Sequence, residues 1–381
     1  MTNDTNFDIF LVVAPGLESV VCEELHEKGF SAPKPEAGGV TVRGSWPDVW
    51  RANLEIRGAT RILARIGSFR AVHLSQLDKL ARRFPWGDVL RRDVPVRVEA
   101  TCKRSRIYHS GAAAQRIGTA IAEELGAPIA ADAEVCIKVR LEDNICTLSV
   151  DTSGELLHRR GYKEAVGKAP MRETLASLFL RQCGYDGSEP VVDPMCGSGT
   201  FILEAAEIAA GFAPGRSRHF AFEQLAGFDV AVWQDMREAE PARSVEVRFF
   251  GSDRDAGAIR MSNANAAQAG VDHLVDFQQL EISDVHPPEG PPGLVIVNPP
   301  YGARIGGARN GGARNGNKNG LHELYGTLGK TLLSRFSGWR VGLVTTEPSL
   351  AKATKLPFVP PGPFVDHGGL KIRLFTTGPL N

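Results

Sequence analysis

No two cysteines in this 381-residue chain stand at CxxC spacing: Cys22, Cys102, Cys136, Cys146, Cys183 and Cys196 are scattered singly. That absence argues against a zinc knuckle and a disulfide framework, and leaves reduced, mostly packed thiols. No basic stretch near Met1 leads into an apolar run, and no apolar stretch approaches the roughly 20 residues of a bilayer span. Secretion and membrane insertion are disfavoured, and a cytoplasmic location is expected. Net charge is absent too, with 44 basic against 44 acidic side chains, so overall charge gives no hint of a polyanionic partner. The length and the 43% hydrophobic content suit two or three compact units.

The distribution of charge is uneven. Between Arg51 and Ser110 there are 14 Lys and Arg against five acids, whereas Met1 to Trp50 is acidic. A basic block in a neutral chain is the footprint of a phosphate-binding module, because each phosphate contact releases counterions. A solvated helix face reads the same way from charge alone.

The pattern of the first part is one of short apolar runs alternating with amphipathic stretches. It predicts strands at 7–14, 39–43 and 62–69 and helices at 17–28 and 46–53, an α+β unit of ferredoxin type over 1–65. A second cycle over 66–155 has helices at 74–84 and 112–125 and strands at 94–101, 135–142 and 145–151, the last two joined as a hairpin by Asp143-Asn144. Residues 154–170 read as a polar, basic linker. From Met171 the pattern becomes apolar strands separated by helices, an α/β, doubly wound, Rossmann-like domain over 156–381. Its expected strands are 191–193, 245–251, 275–279, 294–297, 340–345 and 371–375, with helices at 171–183, 200–210, 256–269 and 321–336. The repeat GGARN-GGARN-GNKNG over 306–320 fits no element and reads as a mobile loop. From Ala303 to Gly320 it carries Arg304, Arg309, Arg314 and Lys318 with no acid.

The chemistry concentrates at expected strand ends. In VVDPMCGSGTF (191–201) an apolar strand ends in Asp193, and Gly197 and Gly199 precede a helix beginning at Thr200. Such glycines let backbone approach a ligand at the carboxyl edge of a sheet. The next strand runs into Asp253, placed for a ribose diol, with Asp255 as a helix N-terminal residue. The third runs into Asp284, placed to accept from an adenine amino group. The fourth delivers Asn298-Pro299-Pro300-Tyr301. An exocyclic amine on a purine has its lone pair delocalised into the ring and is a poor nucleophile. The Asn298 side-chain oxygen and the Pro299 carbonyl can both accept from it, the two prolines keep the loop rigid, and Tyr301 offers a stacking face.

DPMCGSGTF followed by NPPYG resembles a class I methyltransferase acting on a planar-conjugated nitrogen. His158-Arg159-Arg160-Gly161-Tyr162 with Ala169-Pro170-Met171-Arg172-Glu173-Thr174-Leu175 is similar to the junction in THUMP-domain RNA methyltransferases, which join a ferredoxin-like and a THUMP unit to this domain. Within that family the chain most resembles the bacterial large-subunit rRNA guanine-N2 methyltransferases. It departs from some members in lacking a second, C-terminal methyltransferase domain, and in the 306–320 insertion. The resemblance implies S-adenosylmethionine as cofactor, held by Pro170, Thr174, Asp193, Cys196, Gly197, Gly199, Thr200, Asp253, Asp284 and Asn298. It implies Asn298, Pro299, Pro300 and Tyr301 as the catalytic set.

The mechanism expected is direct displacement on the methyl carbon by an extruded base, without a covalent enzyme intermediate. Cys196 lacks a base partner and reads as a packed residue of the cofactor turn, and no metal cluster is visible. The partner expected is RNA, ribosomal before transfer RNA. Competing readings are a DNA amino-methyltransferase, a protein glutamine methyltransferase and a non-catalytic ribosome-assembly factor.

Overall fold

The computed structural model describes residues 6–162, 171–239, 243–301 and 314–381, with 314–319 described by backbone alone. They fall into two compact units. The first is built on β1 (Phe7–Val12), α1 (Glu18–Glu27), β2 (Lys34–Glu36), β3 (Gly39–Gly44), α2 (Trp46–Glu55), β4 (Arg61–Arg70), α3 (Leu74–Arg82), β5 (Val96–Lys103), α4 (Ser110–Glu124), β6 (Val135–Glu142) and β7 (Ile145–Asp151). Its strands form one seven-stranded sheet in the order β2-β3-β1-β4-β7-β6-β5, so the expected boundary at 65/66 falls inside β4. All neighbours are antiparallel except β5 and β6. Alternate residues are buried, Val40 and Val42 on β3, and Ile137, Val139 and Leu141 on β6. That period-two pattern fixes which face carries the core. Asp143 and Asn144, both at positive φ, close the β6–β7 hairpin as their sequence suggests.

The second unit is a mixed sheet in the order β10-β9-β8-β11-β12-β14-β13. Its elements begin with α5 (Glu173–Gln182), β8 (Val191–Asp193) and α6 (Thr200–Ala209). Then 214–240, with α7 (Val230–Glu238), belongs to the first unit, so the catalytic domain expected to run unbroken over 156–381 is interrupted. The second unit resumes with β9 (Phe249–Asp253), α8 (Ala256–Ala269), β10 (Val275–Gln279), β11 (Leu294–Val297), α9 (Arg314–Arg335), β12 (Arg340–Thr345), α10 (Pro348–Ala353), β13 (Val365–His367) and β14 (Leu370–Thr376). Strands β10, β9, β8, β11 and β12 are parallel, and β14 runs antiparallel to β12 and β13.

Two expectations need correction. The strand expected over 245–251 is Phe249–Asp253, because pairing with both neighbours begins at Phe249, opposite Val191 and Val275. Among the described residues, 245–248 have no neighbouring strand to bond. The loop expected over 306–320 is helical from Arg314 onward. Buried Leu321, Tyr325, Leu328 and Leu332 anchor a nucleated helix, and extending it backwards avoids the cost of nucleation although Gly316 and Gly320 each disfavour it by about 1 kcal/mol. Residues 306–313 lie outside the described residues.

Among the described residues no helix is long and apolar enough to cross a membrane.

Candidate active site

From β8 the chain departs in opposite directions: β9 and β10 extend the sheet on one side, β11 and β12 on the other. The carboxyl ends of β8 and β11 therefore flank a topological switch point, where open α/β sheets leave a crevice for ligands. Asp193, the 194–199 turn, Asp253 and Asn298 all sit at the carboxyl ends of these adjacent strands, and Asp284 lies in the segment after β10.

The turn is held from several sides. Gly197 and Gly199 both have positive φ, +55° and +82°. At Gly199 a Cβ would approach Phe277 and Ser262 to 3.0 and 3.1 Å, whereas at Gly197 it would meet nothing within 4 Å. Gly199 is thus a packing glycine that also caps α6, and Gly197 presents bare backbone to open space. The Gly197 N–H donates to Asp253 Oδ2 at 3.1 Å, and the Asp255 N–H donates to Asp253 Oδ1 at 2.9 Å. Asp255 caps α8 through the Gly257 N–H, as expected. Two residues that sequence reasoning missed fix the turn from α8: Ser262 Oγ donates to the Gly197 carbonyl at 2.9 Å, and Asn265 Nδ2 to the Ser198 carbonyl at 3.1 Å. The signal was present, since Ala258, Ser262, Asn265, Ala266 and Ala269 make one buried helical stripe broken by two polar residues.

Asp193 is 2% exposed and accepts from the Met195 N–H at 3.0 Å. Burial pushes its carboxyl up to about 8, the nearby Asp253 charge adding to the rise and the Met195 bond offsetting part of it. Cys196 is buried against Ser262, and burial pushes its thiol up as well, so it is a protonated packing group and not a nucleophile. Thr200 is buried in the first turn of α6. Pro170 lies outside the described residues.

Asp284 is exposed. Arg335 of α9, another residue missed in the sequence, donates to the Ser283 and Val285 carbonyls at 2.7 and 2.9 Å and fixes the segment around it. A cavity of about 170 Å³ lies beside that segment, lined in part by Phe250, Ser252, Val285 and His286.

Asn298 is half-buried, Pro299 buried and Pro300 exposed. Tyr301 is fully buried, so it does not present the open stacking face expected of it. Burial, with Tyr301 contributing, pushes the Tyr325 hydroxyl up, and that hydroxyl donates to Thr345 Oγ1 at 3.3 Å. The aromatic ring after the prolines is thus part of the packing beneath the loop.

Thr174 Oγ1, Ser252 Oγ and Asn298 Oδ1 are buried oxygens with no hydrogen-bond partner among the described residues. Each unsatisfied buried polar atom costs about 1–3 kcal/mol until a partner arrives. Together with the open space beside Gly197, they fit a polar ligand at the carboxyl edge, with an amine donor beside Asn298. Among the described residues no cluster of three or more His, Cys, Asp or Glu has the grouping to hold a metal ion.

The chain matches two family models. Residues 160–357 match the RMKL-like methyltransferase domain, and residues 8–63 match the RlmL ferredoxin-like domain. It is 31% identical over 376 residues to a protein of Synechocystis sp. named as an RNA methyltransferase, covering 96% of this chain and 95% of that one. It is 30% identical over 360 residues to the ribosomal RNA large subunit methyltransferase K/L of Vibrio campbellii, covering 91% of this chain but spanning only 50% of that one. Its fold matches the solved structure of SMU.472, described as a methyltransferase complexed with SAH, with a TM-score of 0.86, 25% identity and 99% of both chains covered. A class I methyltransferase sheet, with the glycine turn and the NPPY loop on adjacent strands, therefore agrees with the sequence matches, and the chain belongs to the RMKL-like methyltransferase family.

Proposed function

We propose that this protein transfers a methyl group from S-adenosylmethionine to the exocyclic N2 of a guanine in RNA, the substrate being 23S rRNA of the large subunit, in the cytoplasm. The observation that carries the reading is Asn298 Oδ1, a buried acceptor without a donor among the described residues, held between β11 and two prolines. A conjugated amine supplies the missing donor. The names of both sequence relatives support RNA as the substrate class, and that of the Vibrio relative supports the large ribosomal subunit as its source.

In this reading Gly197, Asp193 and Thr174 hold the methionine end of the cofactor, Asp253 its ribose and Asp284 its adenine. Bound S-adenosylmethionine supplies an electrophilic methyl group on a sulfonium. The chain's own part is orientation and electrostatics. Asn298 Oδ1 and the Pro299 carbonyl accept from the target NH₂, aim its nitrogen and stabilise the positive charge that develops there. The proton leaves to water afterwards. The basic α+β region over 66–155 serves as a THUMP-type RNA-binding module.

The test is to incubate the protein with labelled S-adenosylmethionine and undermodified total RNA, separate ribosomal from transfer RNA, and identify the labelled nucleoside by mass spectrometry. N2-methylguanosine in 23S rRNA is the expected product. The same nucleoside in transfer RNA moves the substrate, and label in no RNA, with cofactor bound, overturns the reading.

A further inference from the structure

The end of the first unit's sheet carries a feature that catalysis does not use. One row of residues crosses four strands there: Lys103 on β5 pairs with Glu142 on β6, Glu142 with Ile145 on β7, and Ile145 with Arg70 on β4. The 104–109 loop after β5 folds onto the same end. The Asn144 N–H donates to Ser105 Oγ at 3.0 Å, and the Arg106 N–H to Asn144 Oδ1 at 2.8 Å. Five cations therefore share this rim, Arg70, Lys103, Arg104, Arg106 and Arg140, against two carboxylates, Glu142 and Asp143. Arg104 engages both carboxylates and Arg140 engages Glu142, and Lys103 stands 3.8 Å from Glu142. Arg70 and Arg106 are exposed and make no ion pair among the described residues.

On this rim Tyr108 is 84% exposed, the most open large hydrophobic side chain among the described residues. Its backbone is nevertheless fixed on both sides. Ile107 is buried, and the His109 ring accepts from the Ala112 N–H at 3.1 Å to cap α4. An aromatic ring projected into water from an anchored backbone gives the fold nothing. It is, however, prepared to stack on a flat partner with little further ordering. Aromatic faces interleaved with unpaired cations are how proteins grip unpaired nucleotides, the ring taking a base and the cations the phosphates.

We infer that this rim, with Tyr108 as the stacking face and Arg70, Lys103 and Arg106 as phosphate contacts, binds a single-stranded segment of RNA. The inference rests on the RNA reading above and adds to it where on the chain, and in what form, RNA is held. A duplex buries its base faces and has nothing to offer Tyr108.

The test measures fluorescence anisotropy of the full chain with a labelled single-stranded adenosine oligonucleotide of about twelve residues and with an RNA duplex of equal length. Tyr108→Ala weakens single-strand binding about tenfold, leaves duplex binding unchanged, and Tyr108→Phe binds like wild type. Arg106→Ala lowers the slope of log K against log salt by about 0.7 for the single strand. Circular dichroism and urea unfolding that match wild type for all three variants show that they are folded. Tyr108→Ala binding the single strand like wild type overturns the inference, as does an equal loss for single strand and duplex. A wild-type chain that binds neither RNA overturns the RNA reading itself.

Discussion

Asp193 is the residue on which the electrostatics of the cofactor edge converge. Burial first, and the neighbouring Asp253 charge after it, push its carboxyl from 3.8 up to about 8. A folded-state value above the unfolded one means a contribution to stability that is fully present below 3.8 and is lost as pH rises through about 8. Asp193→Asn keeps an acceptor for the Met195 N–H and removes the titration. Urea unfolding should therefore show wild type losing stability relative to the variant between about pH 5 and about pH 8.5, whereas parallel curves contradict the shift. Asp193, Asp253 and Asn298 were legible in the sequence because parallel strands bring their final residues to one edge, whatever else packs around them. The environment of Tyr301 was not legible. Two prolines and an aromatic describe a rigid loop, but whether the ring turns outward or into the core depends on residues such as Tyr325, more than twenty positions away.

At the scale of elements, α8 holds the glycine turn as much as the turn's own residues do. Ser262→Ala leaves the Gly197 carbonyl without its 2.9 Å donor, and should cost about 1 kcal/mol of stability while weakening S-adenosylhomocysteine binding in calorimetry. Binding identical to wild type would remove Ser262 from the site. Most elements were readable from periodicity, and the failures have a common cause. The β9 boundary depends on where β8 and β10 begin to pair, and the start of α9 depends on how far an anchored helix propagates through Gly- and Asn-rich sequence. Neither is a property of the local pattern. β2, α7, α10 and β13 went unread; three of them are six residues or shorter.

For the whole molecule, the step that local reading missed is the return of 214–240 to the first unit. Its aromatics make a cluster there: Phe220 and Phe222 stack at 5.2 Å, Trp233 meets Phe222 edge-on at 5.0 Å, and Trp50 of α2 stacks on Phe222 at 6.0 Å. The segment is fastened by the Gly215 N–H to the Leu54 carbonyl and the Ala226 N–H to the Val89 carbonyl, both at 2.9 Å. Nothing local in the sequence says which core these aromatics join. Asn298 carries the proposed chemistry. Single-turnover methyl transfer to RNA by wild type and by Asn298→Ala, each with S-adenosylmethionine affinity measured alongside, tests it most directly. The variant is predicted to bind cofactor and to lose about 10²–10³ in rate. Near-wild-type turnover by the variant would contradict the role assigned to its side-chain oxygen.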